Sequence, residues 1–193
     1  YDEFQKTGME LMHFPDVWST STGAGITVAV LDTGINVKHR EFCNSAITND
    51  GDQTVDLNGC TKLVAPFDFI DDAAPSVLSG LSPVDGADYE GIDGFPDDKD
   101  GHGTHVAGII GANGNNSFGI TGAAYDVSIM PIRVMAPYKK SGKVLSTGQT
   151  SHIIQGVNYA VTNNADVINM SLGGVLPTQD DLLLQQAIDN ATV

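Results

Sequence analysis

Short apolar runs, separated by glycine turns and long polar stretches, set the pattern of this chain. Ile26–Leu31 (ITVAVL) follows the turn signal Gly23-Ala24-Gly25 and stops at Asp32-Thr33-Gly34. An unbroken, β-branched run of this kind predicts a strand buried on both faces of a parallel sheet. Residues 43–101 are mostly polar and predict loops, with one short strand near Leu63–Phe69. Gly103–Ala112 (GTHVAGIIGA) predicts a helix of small residues, poor in intrinsic propensity but able to lie close against its neighbours. Val127–Val134 (VSIMPIRV) predicts a second strand, with Pro131 as an obstacle because it lacks a ladder donor. Ile153, Ile154, Val157, Ala160 and Val161 recur at helical spacing and predict a helix over 151–164. Asp166–Met170 (DVINM) predicts another buried strand, closed by Ser171-Leu172-Gly173-Gly174. Thr178, with Asp181 three residues on, has the form of a capping box. It predicts a helix through Ala191 with Leu183, Leu184, Ala187 and Ile188 on the buried side.

The order strand, loop, helix, strand, helix, strand, helix predicts a doubly wound, mostly parallel α/β sheet with helices on both faces. Such a unit ordinarily runs on into another strand, so the fold is expected to be incomplete at Val193. A net charge of −15 speaks against nucleic-acid binding, which needs clustered Lys and Arg, and against docking on anionic membranes. The acidic loops leave two readings, solubility or cation binding. No apolar stretch is long enough to span a membrane, and YDEFQKTG has neither the basic start nor the apolar core of a signal peptide. Cys43 and Cys60 flank a polar loop with little else to order it. A disulfide between them is expected, contributing roughly 3 kcal/mol and implying an oxidising, secreted setting. The alternative is two unrelated thiols.

Reactive groups in open α/β sheets collect at the carboxyl ends of the strands, where Asp32 falls. His102 opens the small-residue helix, flanked by Gly101 and Gly103, so the imidazole is unobstructed. Imidazole is the side chain best suited to move protons near neutral pH. Alone, each residue is as well explained as a turn or a cap.

Together, the segments AVLDTGI (29–35), HGTHVAGII (102–110) and VINMSLGG (167–174), in that order, resemble the subtilisin-like serine proteases. The resemblance implies that residues 1–193 form the N-terminal portion of one peptidase domain. It implies that Asp32 orients and stabilises the imidazolium, and that His102 is the general base toward a serine hydroxyl. Ser171, Leu172, Gly173 and Gly174 then form one strand against the substrate peptide, and Thr147, Gly148 and Gln149 the strand on its other side. The Asn115–Ile120 loop resembles a family loop that holds structural calcium, with Glu41, Asn116, Phe118, Ile120 and Asp2 as expected oxygen donors. The further acidic run Asp93–Asp100 matches no calcium-loop spacing and is read as a solvated loop. The family's nucleophile lies in a Gly-Thr-Ser segment, which does not occur among these residues. The chain alone is therefore expected to be inactive, with the C-terminal remainder supplied by the same or a second chain and peptides or proteins as substrates. Two alternatives remain. One is a non-catalytic binding module of this fold. The other is a metal hydrolase using His102 and His105, spaced i, i+3, with Asp32.

Overall fold

The computed structural model describes residues 3–43, 47–49, 54–71, 80–174 and 178–192. The expected strand at Ile26–Leu31 is β1, Thr27–Asp32, and it sits inside a four-stranded sheet. Its neighbours are β4 (Phe67–Asp68), β6 (Ser128–Arg133) and β9 (Val167–Asn169), in the order β4-β6-β1-β9, all parallel. The remaining elements are helices α1 (Glu3–Leu11), α2 (Phe14–Val17), α3 (His102–Gly111), α4 (Thr150–Thr162) and α5 (Thr178–Ala191), and strands β2 (Ile47–Asn49), β3 (Thr54–Asp56), β5 (Ser82–Pro83), β7 (Ala136–Lys140) and β8 (Lys143–Thr147).

Alternation along β1 sorts the core into two layers. Val28 and Val30 pack with Ile129 and with Ala107 of α3. Ala29 and Leu31 pack on the other face with Met130, Ile132 and with Ile153, Val157 and Ala160 of α4. Helices thus cover both faces, as the periodicity predicts. The steps β4 to β6 through α3 and β6 to β9 through α4 run in one direction across the sheet but on opposite faces. The two crossovers therefore have opposite hands. The return from β1 to β4 buries Ile35, Val37 and Phe42 on the α3 face while moving the other way, so the α3 crossover is the odd one of the three.

Pro131 is accommodated because its side of β6 needs no donor. Ile129 N–H donates to Lys62 O, Val64 N–H to Ile129 O and Phe69 N–H to Arg133 O, so every second residue of β6 faces β4. Pro131 faces the same way, opposite the gap between the Leu63 bridge and Phe67, where the chain turns through Ala65 at φ 43°.

Several expectations need correction. Residues 43–101 are not all loop: β2 and β3 form an antiparallel pair, and β5 joins a second sheet in the order β5-β7-β8. Strands β7 and β8 form a hairpin that the pattern does not predict, closed by Ser141 and Gly142 at φ 51° and 79°. Two successive positive φ values are what a tight two-residue hairpin requires. Strand β9 is an edge strand among the described residues, and Val167 is half exposed rather than buried. Val161 on α4 and Leu183 on α5 are also exposed, because the buried stripe of each helix is narrower than expected. Ala187 is buried and Leu184 packs against the same core layer.

Cys43 and Cys60 are disulfide-bonded with a Cα separation of 5.8 Å. Among the described residues no helix is long and apolar enough to cross a membrane.

Candidate active site

Asp32 ends β1 and is fully buried. Its Oδ1 accepts the Thr33 N–H at 2.7 Å and lies 2.7 Å from His102 Nδ1. His102 is the first residue of α3, and its side chain is 47% exposed. The approach of helix to strand depends on glycine. A Cβ at Gly103 would lie 2.2 Å from the Gly34 carbonyl oxygen and 3.2 Å from Asp32 Cβ. Gly34 itself turns at φ +106°, where a side chain is strained. Since Nδ1–H donates to the carboxylate, Nε2 is the ring nitrogen left to act as base.

The hydrogen bond to Asp32 holds the His102 imidazole above its ordinary 6.5; partial burial opposes it, and the charges of Asp32, Asp100 and Asp98 reinforce it. An NMR titration of the His102 ring is expected to give a midpoint above 6.5. The folded state then holds this proton more tightly than the unfolded chain. The group's contribution to stability is full below about pH 6.5 and is lost as pH rises through the folded midpoint. A midpoint at or below 6.5 would contradict the pairing.

Ser171, Leu172, Gly173 and Gly174 leave the carboxyl end of β9, the strand beside β1. A Cβ at Gly173 or Gly174 would meet nothing within 4 Å, so this segment is open. Thr147 ends β8, and Gln149 precedes α4. Gly148 lies so close to the end of β6 that a Cβ would sit 2.0 Å from Val134 O. Met135 N–H, one residue on, donates to Asp32 O. The two segments therefore emerge at the carboxyl ends of the strands on either side of β1.

Glu41 is buried and is wrapped by the 113–121 loop. Asn116 Nδ2 donates to its Oε2 at 2.8 Å, and Ile120 N–H donates to its Oε1 at 2.8 Å. Gly119 passes so close that a Cβ there would lie 2.2 Å from Oε1. Phe118 joins through its backbone N–H on Asn116 Oδ1, and its ring carries the Arg40 guanidinium at 3.8 Å. No ion pair forms at Glu41 among the described residues, and both of its carboxylate oxygens accept N–H groups of the loop. Asp2 lies outside the described residues. Among the described residues, Gln5 reaches this loop from the N-terminal side and exchanges two hydrogen bonds of 2.8 Å with the Thr121 backbone. Among the described residues no group of three His, Cys, Asp or Glu side chains converges as a metal site, so His105 does not join Asp32 and His102 in one.

The subtilase family description, peptidase S8, matches residues 23–192. The chain belongs to the subtilase family. It is 32% identical over 185 residues to the major intracellular serine protease of Bacillus subtilis (strain 168), covering 95% of this chain and 44% of that protein. It is 31% identical over 191 residues to thermitase of Thermoactinomyces vulgaris, covering 99% of this chain and 52% of thermitase. A protease from Pseudoalteromonas arctica PAMC 21717 superposes with a TM-score of 0.64 at 30% identity, covering 92% of this chain and 49% of that one. The chain thus spans about half the length of each of these three proteins.

Two features around this subtilase pair escape a reading of the sequence. Arg133, in register with Asp32 on the adjacent strand, is fully buried. Its Nη1 lies 2.6 Å from Asp68 Oδ2 and its Nη2 donates to Asp88 O at 2.8 Å. Burial pushes the Asp68 carboxyl up to about 7 against the pull of Arg133. The second feature corrects the reading of Asp93–Asp100 as a solvated loop. Asp93 exchanges backbone hydrogen bonds with Asp68, and Asp98 is engaged by residues on both sides of the pair. The signal is faint in the sequence: an Asp shortly before a helix start suggests a cap, but its long-range partner is invisible there.

Proposed function

We propose that this chain supplies the orienting carboxylate and the general base of a serine endopeptidase, Asp32 and His102, with the nucleophilic serine coming from residues outside this chain or from a second chain. The observation that carries the reading is the 2.7 Å contact of a buried carboxylate with Nδ1 of a half-exposed imidazole at the carboxyl end of a parallel strand. In the first step His102 Nε2 takes the serine hydroxyl proton as the oxygen attacks the peptide carbonyl carbon. Asp32 keeps Nδ1–H in place and stabilises the imidazolium that forms. The proton then passes to the amine nitrogen as the C–N bond breaks, and water repeats the sequence on the acyl-enzyme. Ser171–Gly174 and Thr147–Gln149 bracket an extended substrate and bind its backbone. A fluorophosphonate is expected to label the serine of the complete protease, and His102→Ala to abolish labelling. Undiminished labelling of the folded His102→Ala variant would overturn the reading.

Calcium is proposed as a structural ligand, held by Glu41, the Asn116 amide oxygen and the carbonyls of Phe118 and Ile120, with Asp2 or Gln5 as the N-terminal oxygen. A buried carboxylate without a cationic partner is costly, and a bound divalent ion offsets that cost. The ion binds only the folded loop, so it stabilises by mass action. Excess chelator is expected to lower the melting temperature. Identical calorimetric transitions with calcium and with chelator would remove calcium from the picture. The disulfide supports a secreted or otherwise oxidising location for this chain.

A further inference from the structure

Asp98 lies four residues before His102 and takes five hydrogen bonds. Its Oδ1 accepts from Thr33 Oγ1 at 2.9 Å, Gly101 N–H at 2.8 Å and Asp100 N–H at 3.1 Å. Its Oδ2 accepts from Thr104 N–H at 2.9 Å and Thr104 Oγ1 at 2.6 Å. A carboxylate offers about four lone-pair sites, so this one is saturated and has nothing left for a ligand. The identity of the donors is what matters. Thr33 follows Asp32, while Gly101 and Thr104 bracket His102. Thr33 Oγ1 also accepts the Gly103 N–H at 2.9 Å, closing a ring of bonds between the end of β1 and the start of α3.

The restraint is needed because the backbone around His102 has little of its own. Gly101 sits at φ +96° and Gly103 has no side chain to pack. Glycine allows the close approach but leaves the ring's mounting loose. Half of the His102 side chain is open to solvent, so packing does not hold it either. We infer that Asp98 is a positioning residue for the catalytic pair, clamping Thr33 to residues on both sides of His102 so that Nδ1 stays on Asp32. The catalytic consequence rests on the serine-protease reading; the geometric claim does not.

The charged groups acting on His102 are Asp32, Asp100 and Asp98, so geometry must be separated from charge. Thr104→Val does this, since it removes the 2.6 Å donor and leaves the Asp98 charge in place. Asp98→Asn is the stronger variant, because its amide group faces the two Thr104 donors. The readouts are the low-field proton resonance of His102 Nδ1–H, the His102 titration midpoint, and a thermal melt as the control for folding. Measurements at about 0.05 M and 0.5 M salt screen out a charge effect exerted through solvent. Both variants are expected to remain folded, to broaden or lose the Nδ1–H resonance, and to lower the midpoint at both salt concentrations. In the complete protease, kcat is expected to fall on the order of 10²-fold, the scale of a small misplacement, with KM nearly unchanged. An unchanged resonance and midpoint in Thr104→Val at high salt would reduce Asp98 to a loop staple. Thr104→Val decides this even where Asp98→Asn fails to fold. Failure of the wild-type protease to take up fluorophosphonate would count against the proposed activity, whereas the resonance tests the clamp alone.

Discussion

Replacing His102 with alanine is expected to lower kcat of the complete protease on the order of 10⁶-fold, the size of the loss in subtilisin itself rather than a figure obtained from this geometry. The reason is that Nε2 is the ring nitrogen left to take a proton, since Nδ1 is committed to Asp32 at 2.7 Å. Asp32→Asn acts differently and is expected to cost on the order of 10⁴-fold. An amide at this buried position turns its NH₂ toward Nδ1 and makes that nitrogen an acceptor. The imidazole proton then moves to Nε2, and the base is lost with the geometry intact. Because neither change touches the segments proposed to hold the peptide, KM should move little. Steady-state kinetics on a peptide substrate, with a melt to show that each variant is folded, decides the matter. A fall in kcat of less than about tenfold for His102→Ala would remove His102 from the chemistry.

The largest stability effect is expected at Asp68. Asp68→Ala should cost about 3–5 kcal/mol, because it strands the Arg133 charge in the interior. Both side chains are almost wholly excluded from water, at 1% and 0% exposure, and lie 2.6 Å apart. The cost comes from the uncompensated guanidinium rather than from the worth of the pair. Replacing both partners, Asp68→Leu with Arg133→Met, is therefore expected to recover most of the loss. Chemical denaturation of the two single variants and the double variant, read as midpoint shifts at constant slope, tests this. If Asp68→Ala costs less than about 1 kcal/mol, the site admits water and the argument from burial is wrong.

The regular parts of this fold were legible where side-chain periodicity is itself the cause of the structure. Val28 and Val30 alternate with Ala29 and Leu31 because both faces of β1 are covered, and an unbroken apolar run records that directly. Asp32 and His102 were legible because short motifs surround both, with glycines where the two backbones meet. What stayed hidden depends on partners far away in the chain. Asp98 looks like its acidic neighbours until Thr33, 65 residues earlier, is placed against it. Arg133 sits in a run that reads as plain core, and only Asp68, also 65 residues away, explains a charge there. The β7–β8 hairpin was missed for another reason. Pro137 and three lysines mask the strand pattern, although Ser141-Gly142 is a usable two-residue turn signal.

The hand of the α3 crossover has a consequence for how the protein acquires its structure. Strand–helix–strand units nearly always wind right-handed, so that a chain emerging from one strand folds back on the sheet by its own local twist. A unit of opposite hand to its neighbours gains no such guidance. Helix α3 reaches its face through the long 69–101 excursion, and its first residue meets a carboxylate 70 residues upstream. The entropy of closing so long a loop must be met before the contact rewards it, which makes the step slow. The Asp32–His102 contact is thus assembled by the one crossover of the three whose hand departs from the others. Any chain in which α3 has not yet docked holds His102 away from Asp32, and such an intermediate lacks the paired base that the proposed serine needs.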